Sequence, residues 1–178
     1  GMNWPSQSTR VSVVDINSFE FEKTITVSLN PNYIYSDSDG DIYVICMSDY
    51  SDDKSYIVQR IDAKTDEVKT VEGIKAYKMT VADDIAYIMF NDYYANEVKY
   101  YKYDLKNEKL LSDNFITDGT VVSSPNGIGV DPVTGDIYVG KSNKNNNGDV
   151  YVFSSEGKLK SQFETLPYPV DFVFTTNK

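Results

Sequence analysis

The side chains best spaced for chemistry are carboxylates. Asp37, Asp39 and Asp41 place an oxygen donor at every second residue, as a calcium loop begins. The pattern then fails. Gly40 comes too early, and Ser48 stands where the closing glutamate would be. The same stretch reads as a turn between strands. Asp49, Asp52 and Asp53 form a second acidic group, read as a solvated loop. The chain has no histidine, so Ser-His-Asp and Cys-His machinery and histidine metal ligands are excluded. There is no Gly-rich phosphate loop and no CxxC pair. Glycosidase chemistry needs two facing carboxylates, and nothing singles out a pair. Cys46 is the lone cysteine, lies in an apolar run and reads as a buried structural thiol. The sequence therefore assigns no catalytic residue, no metal ligand and no cofactor.

A second set of residues suits binding: Tyr50, Asn91, Tyr93, Tyr94, Asn126, Lys141, Asn143 and Tyr168. Tyrosine offers apolar area with a hydroxyl, and asparagine offers both a donor and an acceptor. These residues matter together only if short, regularly repeated elements carry them to one face.

The clearest element is the stretch from Pro125 to Phe153. Its cluster Asp131-Pro132-Val133-Thr134-Gly135-Asp136 is a turn, because proline presets φ, glycine supplies positive φ and aspartate bonds nearby backbone. Apolar runs flank it, which predicts a hairpin. The run 141–148, Lys-Ser-Asn-Lys-Asn-Asn-Asn-Gly, is too polar for a core and predicts a longer exposed loop. A third strand follows over 150–153, and alternation over 158–163 predicts a half-exposed edge strand.

The rest of the chain repeats this unit. Strands are predicted over 10–15, 20–29, 33–35, 42–47, 56–61, 67–71, 77–81, 85–90, 98–103, 109–111, 127–130, 137–139, 150–153, 158–163 and 170–174. Residues 96–111 also admit a helix, with Val98, Tyr101 and Leu105 near one face, but alignment with the other units favours a strand. The second strands centre on Tyr43, Tyr87 and Tyr138, spaced by 44 and 51 residues. The third strands end at Asp15, Asp62, Asp104 and Ser154. A period near ~45 residues with four strands per unit marks β-propeller blades. The second strands are apolar on both faces, as an inner blade strand sandwiched between neighbours must be. The expected fold is all-β: a single propeller domain over 1–178, with complete four-stranded antiparallel blades over 31–72, 76–112 and 125–165 and partial ones over 10–29 and 167–178.

The runs Asp136-Ile137-Tyr138-Val139-Gly140-Lys141-Ser142-Asn143, Asp41-Ile42-Tyr43-Val44 and Val11-Ser12-Val13-Val14-Asp15 resemble the YVTN-type repeats of surface-layer-like β-propellers. Many such proteins are secreted, cell-surface lipoproteins of Bacteroidota. The resemblance implies an extracytoplasmic setting and no catalytic residues, because the repeat motif is structural. It also implies more blades than this chain holds. Three closures follow: the ends pair to complete a fourth blade, two chains join as half-propellers in a homodimer, or the chain is part of a longer protein. Open ends would expose apolar blade faces and associate.

Composition narrows the partners. The 17 basic and 27 acidic residues give a net charge of −10, which opposes nucleic acid and anionic membrane. No apolar run approaches the ~20 residues of a membrane span. Gly1-Met2 reads as an added remnant, so targeting information is expected elsewhere. The leading expectation is a non-enzymatic binding or scaffold module with a glycan or protein ligand. The alternative is a hydrolase or lyase using acidic and tyrosine side chains of the central face, Asp49 and Tyr93 among them. A third is a domain stabilised by divalent cations.

Overall fold

A computed structural model describes residues 8–47, 56–92 and 97–175. The chain divides into two compact units, Gly1–Ala76 and Tyr77–Lys178.

In the first unit, β1 (Arg10–Val14) and β2 (Phe21–Thr26) form a two-stranded antiparallel ribbon. A four-stranded sheet follows: β3 (Pro31–Ser36), β4 (Ile42–Cys46), β5 (Ile57–Ile61) and β6 (Val68–Lys75), paired in chain order. Val11, Ile25 and Val27 of the ribbon pack on Val44, Cys46 and Ile61 of the sheet. Ser28 N–H donates to Gln59 Oε1 at 2.6 Å, and Gln59 Nε2 donates to Thr70 Oγ1 at 3.3 Å. The Gln59 side chain, 9% exposed, is thus satisfied at both ends.

The second unit holds two four-stranded sheets. The first is β7 (Lys78–Ala82), β8 (Ile85–Asp92), β9 (Glu97–Asp104) and β10 (Lys109–Ser112). The second is β11 (Pro125–Val130), β12 (Ile137–Asn143), β13 (Asn146–Phe153) and β14 (Leu159–Thr165). Tyr87, Met89 and Tyr100 of the first meet Ile128, Ile137, Val139 and Phe153 of the second. The connection 113–124 sends Phe115 and Val122 into this core. Phe115 meets Tyr87 and Tyr100 edge-on at 5.6 and 5.4 Å, the arrangement ring quadrupoles favour. The buried Tyr100 hydroxyl donates to Val122 O at 2.9 Å, and burial raises its pKa. The sequence reading assigned residues 113–124 no structure, although this connection supplies the central ring of the unit.

The repeat is exact in register at one position. Tyr43, Tyr87 and Tyr138 pair with Arg60, Lys102 and Val152, each two residues before the turn residues Asp62, Asp104 and Ser154. Lys102 Nζ lies 5.2 Å from the Tyr87 ring centre, a cation–π contact. The turns repeat as well. Asp15, Asp62, Asp104 and Asp131 each accept backbone N–H groups two or three residues on, which satisfies the turn locally. The two-residue turn Asp83-Asp84 has φ of 50° and 59°, the twist a tight hairpin needs.

The strand expected over 98–103 is present, and two other expectations are corrected. Residues 96–111 hold no helix where described: β9 pairs with β8 from Ile85–Asp104 to Asp92–Glu97, and the ladder satisfies a backbone that a helix would have satisfied alone. The polar run 141–148 is not a long loop. β12 and β13 continue through it to the pair Asn143–Asn146, closed by Lys144 and Asn145 with Lys144 at φ 58°. Asparagine side chains replace apolar contacts there, as Asn143 Nδ2 donates to Asn147 O at 2.9 Å. Polarity marked exposure, not the end of the ladder.

The second correction concerns 170–174, predicted as a strand. The segment is extended, but it has no strand partner among the described residues. It lies across the face of the β11–β14 sheet, with Tyr138 packed on Phe172 and Phe174 at 5.7 and 5.1 Å. Glycines make that seat. A Cβ on Gly127 would stand 2.5 Å from Pro169 O, one on Gly148 2.7 Å from Pro169 Cδ, and one on Gly129 2.8 Å from Phe172 Cβ. The buried Lys78 ammonium donates to Val170 O and lies 3.7 Å from Asp171. Docking on a face uses side chains and leaves the ladder edge unused, so alternation alone mistook it for a paired strand.

Two predictions follow from this packing. Gly127→Ala drives a Cβ against the Pro169 and Val170 backbone, so it should cost about 1–3 kcal/mol. It should also speed chymotryptic cleavage at Phe172, and a tail equally protected in the variant would refute the seat. The turn aspartates Asp15, Asp62, Asp104 and Asp131 have folded pKa values lowered from 3.8, chiefly by hydrogen bonds from Ser18, Thr65, Asn107 and Val133 respectively. Such a group stabilises the fold above its unfolded pKa and loses that contribution as pH falls through the folded value. The Tm should therefore fall as pH drops below about 4, and Asp62→Asn, which does not titrate, should lessen that fall.

Candidate functional site

Where β12 and β13 run past the apolar core, their side chains turn polar. Lys141 pairs with Asp149 across the ladder, and Asp149 with Glu164. Asp149 is the hub. Asn143 Nδ2 donates to its Oδ2 at 3.0 Å, Gln162 Nε2 to its Oδ1 at 3.4 Å, and Lys141 Nζ lies 4.0 Å away. Asn147 Nδ2 donates to Glu164 Oε1 at 2.8 Å. Lys141 continues the face that carries Ile137 and Val139 inward, since alternate residues share a face. The polar row therefore caps the core between the two sheets of the second unit.

The candidate residues distribute unevenly about this row. Lys141 and Asn143 belong to it. Asn126 is half-buried at the irregularity between Pro125 and Gly127, beside the Pro125–Lys141 pair. Asn91 ends β8 and donates from Nδ2 to Pro125 O at 3.2 Å, so its amide ties the two sheets at the same rim. Tyr168 lies half-exposed at φ 59° on the tail, whose seat is the opposite face of the sheet from Asp149. Tyr50, Tyr93 and Tyr94 lie outside the described residues, as do Asp49, Asp52 and Asp53. Asp149, Asn147, Gln162 and Glu164 were not in the candidate set. Reading 141–148 as a loop hid them, since only a continued ladder brings β12, β13 and β14 into one row.

The row can donate from amides and an ammonium and accept at carboxylates. It holds no nucleophile paired with a base. The carboxylates of Asp37 and Asp41 are engaged in the fold. Asp37 Oδ1 accepts N–H from Asp39 at 3.0 Å and Asp41 at 2.9 Å, and Asp41 accepts from Arg60 Nε at 2.8 Å and Ala63 N at 2.8 Å. That geometry is a turn rather than a cation loop. Among the described residues no group of three carboxylate, thiol or imidazole side chains is placed to hold a metal. Lys160 and Asp136 form an ion pair at 2.5 Å, and the hydrogen bond to Asp136 raises the Lys160 pKa.

Cys46 is buried, with Sγ 3.8 Å from Gln59 Oε1, and burial pushes its thiol up to about 11. The thiolate is the reactive form. Iodoacetamide at mildly alkaline pH should leave Cys46 unmodified in the folded protein and alkylate it fully in denaturant, and rapid native labelling would contradict this burial.

No family model matches the chain, and no curated protein matches it. Solved structures do. The Dos1 propeller is 12% identical with a TM-score of 0.64, covering 92% of this chain and 44% of that one. Hydrazine synthase of Kuenenia stuttgartiensis is 16% identical with a TM-score of 0.61, covering 83% of this chain and 45% of that one. The β-propeller domain of the trilobed protease from Pyrococcus furiosus, described as having an open velcro topology, is 9% identical with a TM-score of 0.51, covering 77% of this chain and 43% of that one. This chain thus spans less than half the length of each. At such identities the likeness shows fold alone. The protein is an all-β chain with a β-propeller fold, and its four-stranded antiparallel sheets are blades.

Proposed function

We propose that this protein is a non-enzymatic binding module of an extracytoplasmic β-propeller, and that the polar row around Asp149 contacts its ligand. One observation carries the reading: Lys141, Asn143, Asp149, Asn147, Gln162 and Glu164 bring amide donors, carboxylates and an ammonium into one row at the open end of a rigid sheet. A glycan suits such a row, because each hydroxyl both donates and accepts. The partners are already held by one another, so little side-chain freedom is lost on binding. The extracytoplasmic, cell-surface setting rests on the YVTN-like run 136–143. Within this reading the whole domain acts as a scaffold that presents the row.

The test is a soluble-glycan array followed by calorimetry on the hits. Asp149→Ala should weaken a true hit by about tenfold or more, since it removes the hub of several hydrogen bonds. Asn143→Ala should weaken it less. An array without hits, or hits indifferent to both variants, would sink the glycan assignment; a protein partner sensitive to Asp149→Ala would keep the row as a binding site and change its ligand.

A further inference from the structure

The charges of the row around Asp149 follow the strand register. Lys141 on β12 stands directly opposite Asp149 on β13, and Asp149 directly opposite Glu164 on β14. The three form one rung across the sheet with signs plus, minus, minus. Directly opposed residues have Cβ atoms about 4.5–5.5 Å apart, and like charges at that spacing are destabilising.

The fold holds this pair of carboxylates without neutralising it. Asn143 and Gln162 donate to Asp149, and Asn147 donates to Glu164, all through uncharged amides. Lys141 Nζ stays 4.0 Å from Asp149. Lys160, the one cation of β14, is drawn instead to Asp136 at 2.5 Å. The neighbouring sheet ends in the same way: β8 and β9 close their ladder on the opposed pair Asp92 and Glu97, with Lys99 3.6 Å from Glu97. The chain as a whole carries a net charge of −10. The field at this rim favours a cation.

We propose that the ligand of the row is a glycan with free amino groups, of the glucosamine type, and that one of its ammonium groups sits between Asp149 and Glu164. The inference rests on the row being a glycan site. An ammonium has three donors and no acceptor, so it can bond both carboxylates at once and relieve their repulsion. The sugar hydroxyls are then left to the amides of Asn143, Asn147 and Gln162. Lys141 closes the other end of the rung and sets the direction in which the amine enters. N-acetylation removes the charge, and a uronic acid reverses it.

The test is calorimetry of the intact protein with pentamers of glucosamine, N-acetylglucosamine and galacturonic acid, at a slightly acidic pH where the amines are protonated. The glucosamine pentamer should bind about tenfold or more tightly than its acetylated form, and the uronic acid weakest of the three. Glu164→Gln keeps the shape of the side chain and removes its charge, so it should reduce that preference to about threefold or less. Glu156→Gln, at the other end of β13, should leave it intact. A preference that survives Glu164→Gln, or that falls equally with Glu156→Gln, would overturn the proposal, since attraction to the overall charge would then explain it. Equal affinity for the amine and its acetylated form, still weakened by Asp149→Ala, would overturn this proposal alone and keep the row as a glycan site. Binding of all three indifferent to Asp149→Ala would remove the glycan site as well.

Discussion

A strand that is apolar on both faces must be covered twice. The residues Tyr43, Val44, Ile45 and Cys46 are all buried, as are Ala86 through Phe90. Each large apolar side chain among them contributes roughly 1.5–3 kcal/mol over leaving it in water. One sheet cannot supply that, because a lone sheet has one dry face at most. The ribbon β1–β2 therefore packs on the β3–β6 sheet, and the two sheets of the second unit pack on one another. The turns and the connection 113–124 serve the same need. They bring the next layer back within reach and place Phe115 where two facing tyrosines leave room for a ring.

The tail over the β11–β14 sheet is a second answer to that demand. A layer need not be a sheet to cover an apolar face. Residues 169–174 cover it with proline and two phenylalanines, and glycine removes the side chains that would hold them off. Such a layer lacks ladder hydrogen bonds, so it depends on shape and on the Lys78 ammonium holding a carbonyl. The polar row around Asp149 lies on the other face of this sheet, where the core ends. There the geometry that buries Val139 one turn of the pleat earlier presents Lys141 to water.

Much of this was legible along the chain. Uninterrupted apolar runs at 42–47 and 85–90 mark strands covered on both faces, since periodicity records how many faces are dry. Turn aspartates at Asp15, Asp62, Asp104 and Asp131 mark strand ends, because their hydrogen bonds are local. These features involve residues within one strand or turn, so sequence by itself determined them. The candidate row was half legible: Lys141 and Asn143 stood out by type, but Asp149, Gln162 and Glu164 join them only through cross-strand register. The Asn-rich stretch 141–148 has a loop's composition and a ladder's hydrogen bonds, and only the partner strand decides between them. Phe115 and the docked tail depend on surfaces assembled from distant segments. Tertiary structure alone decided those, because what a side chain touches across a sheet is set by how layers stack and not by its neighbours in the chain.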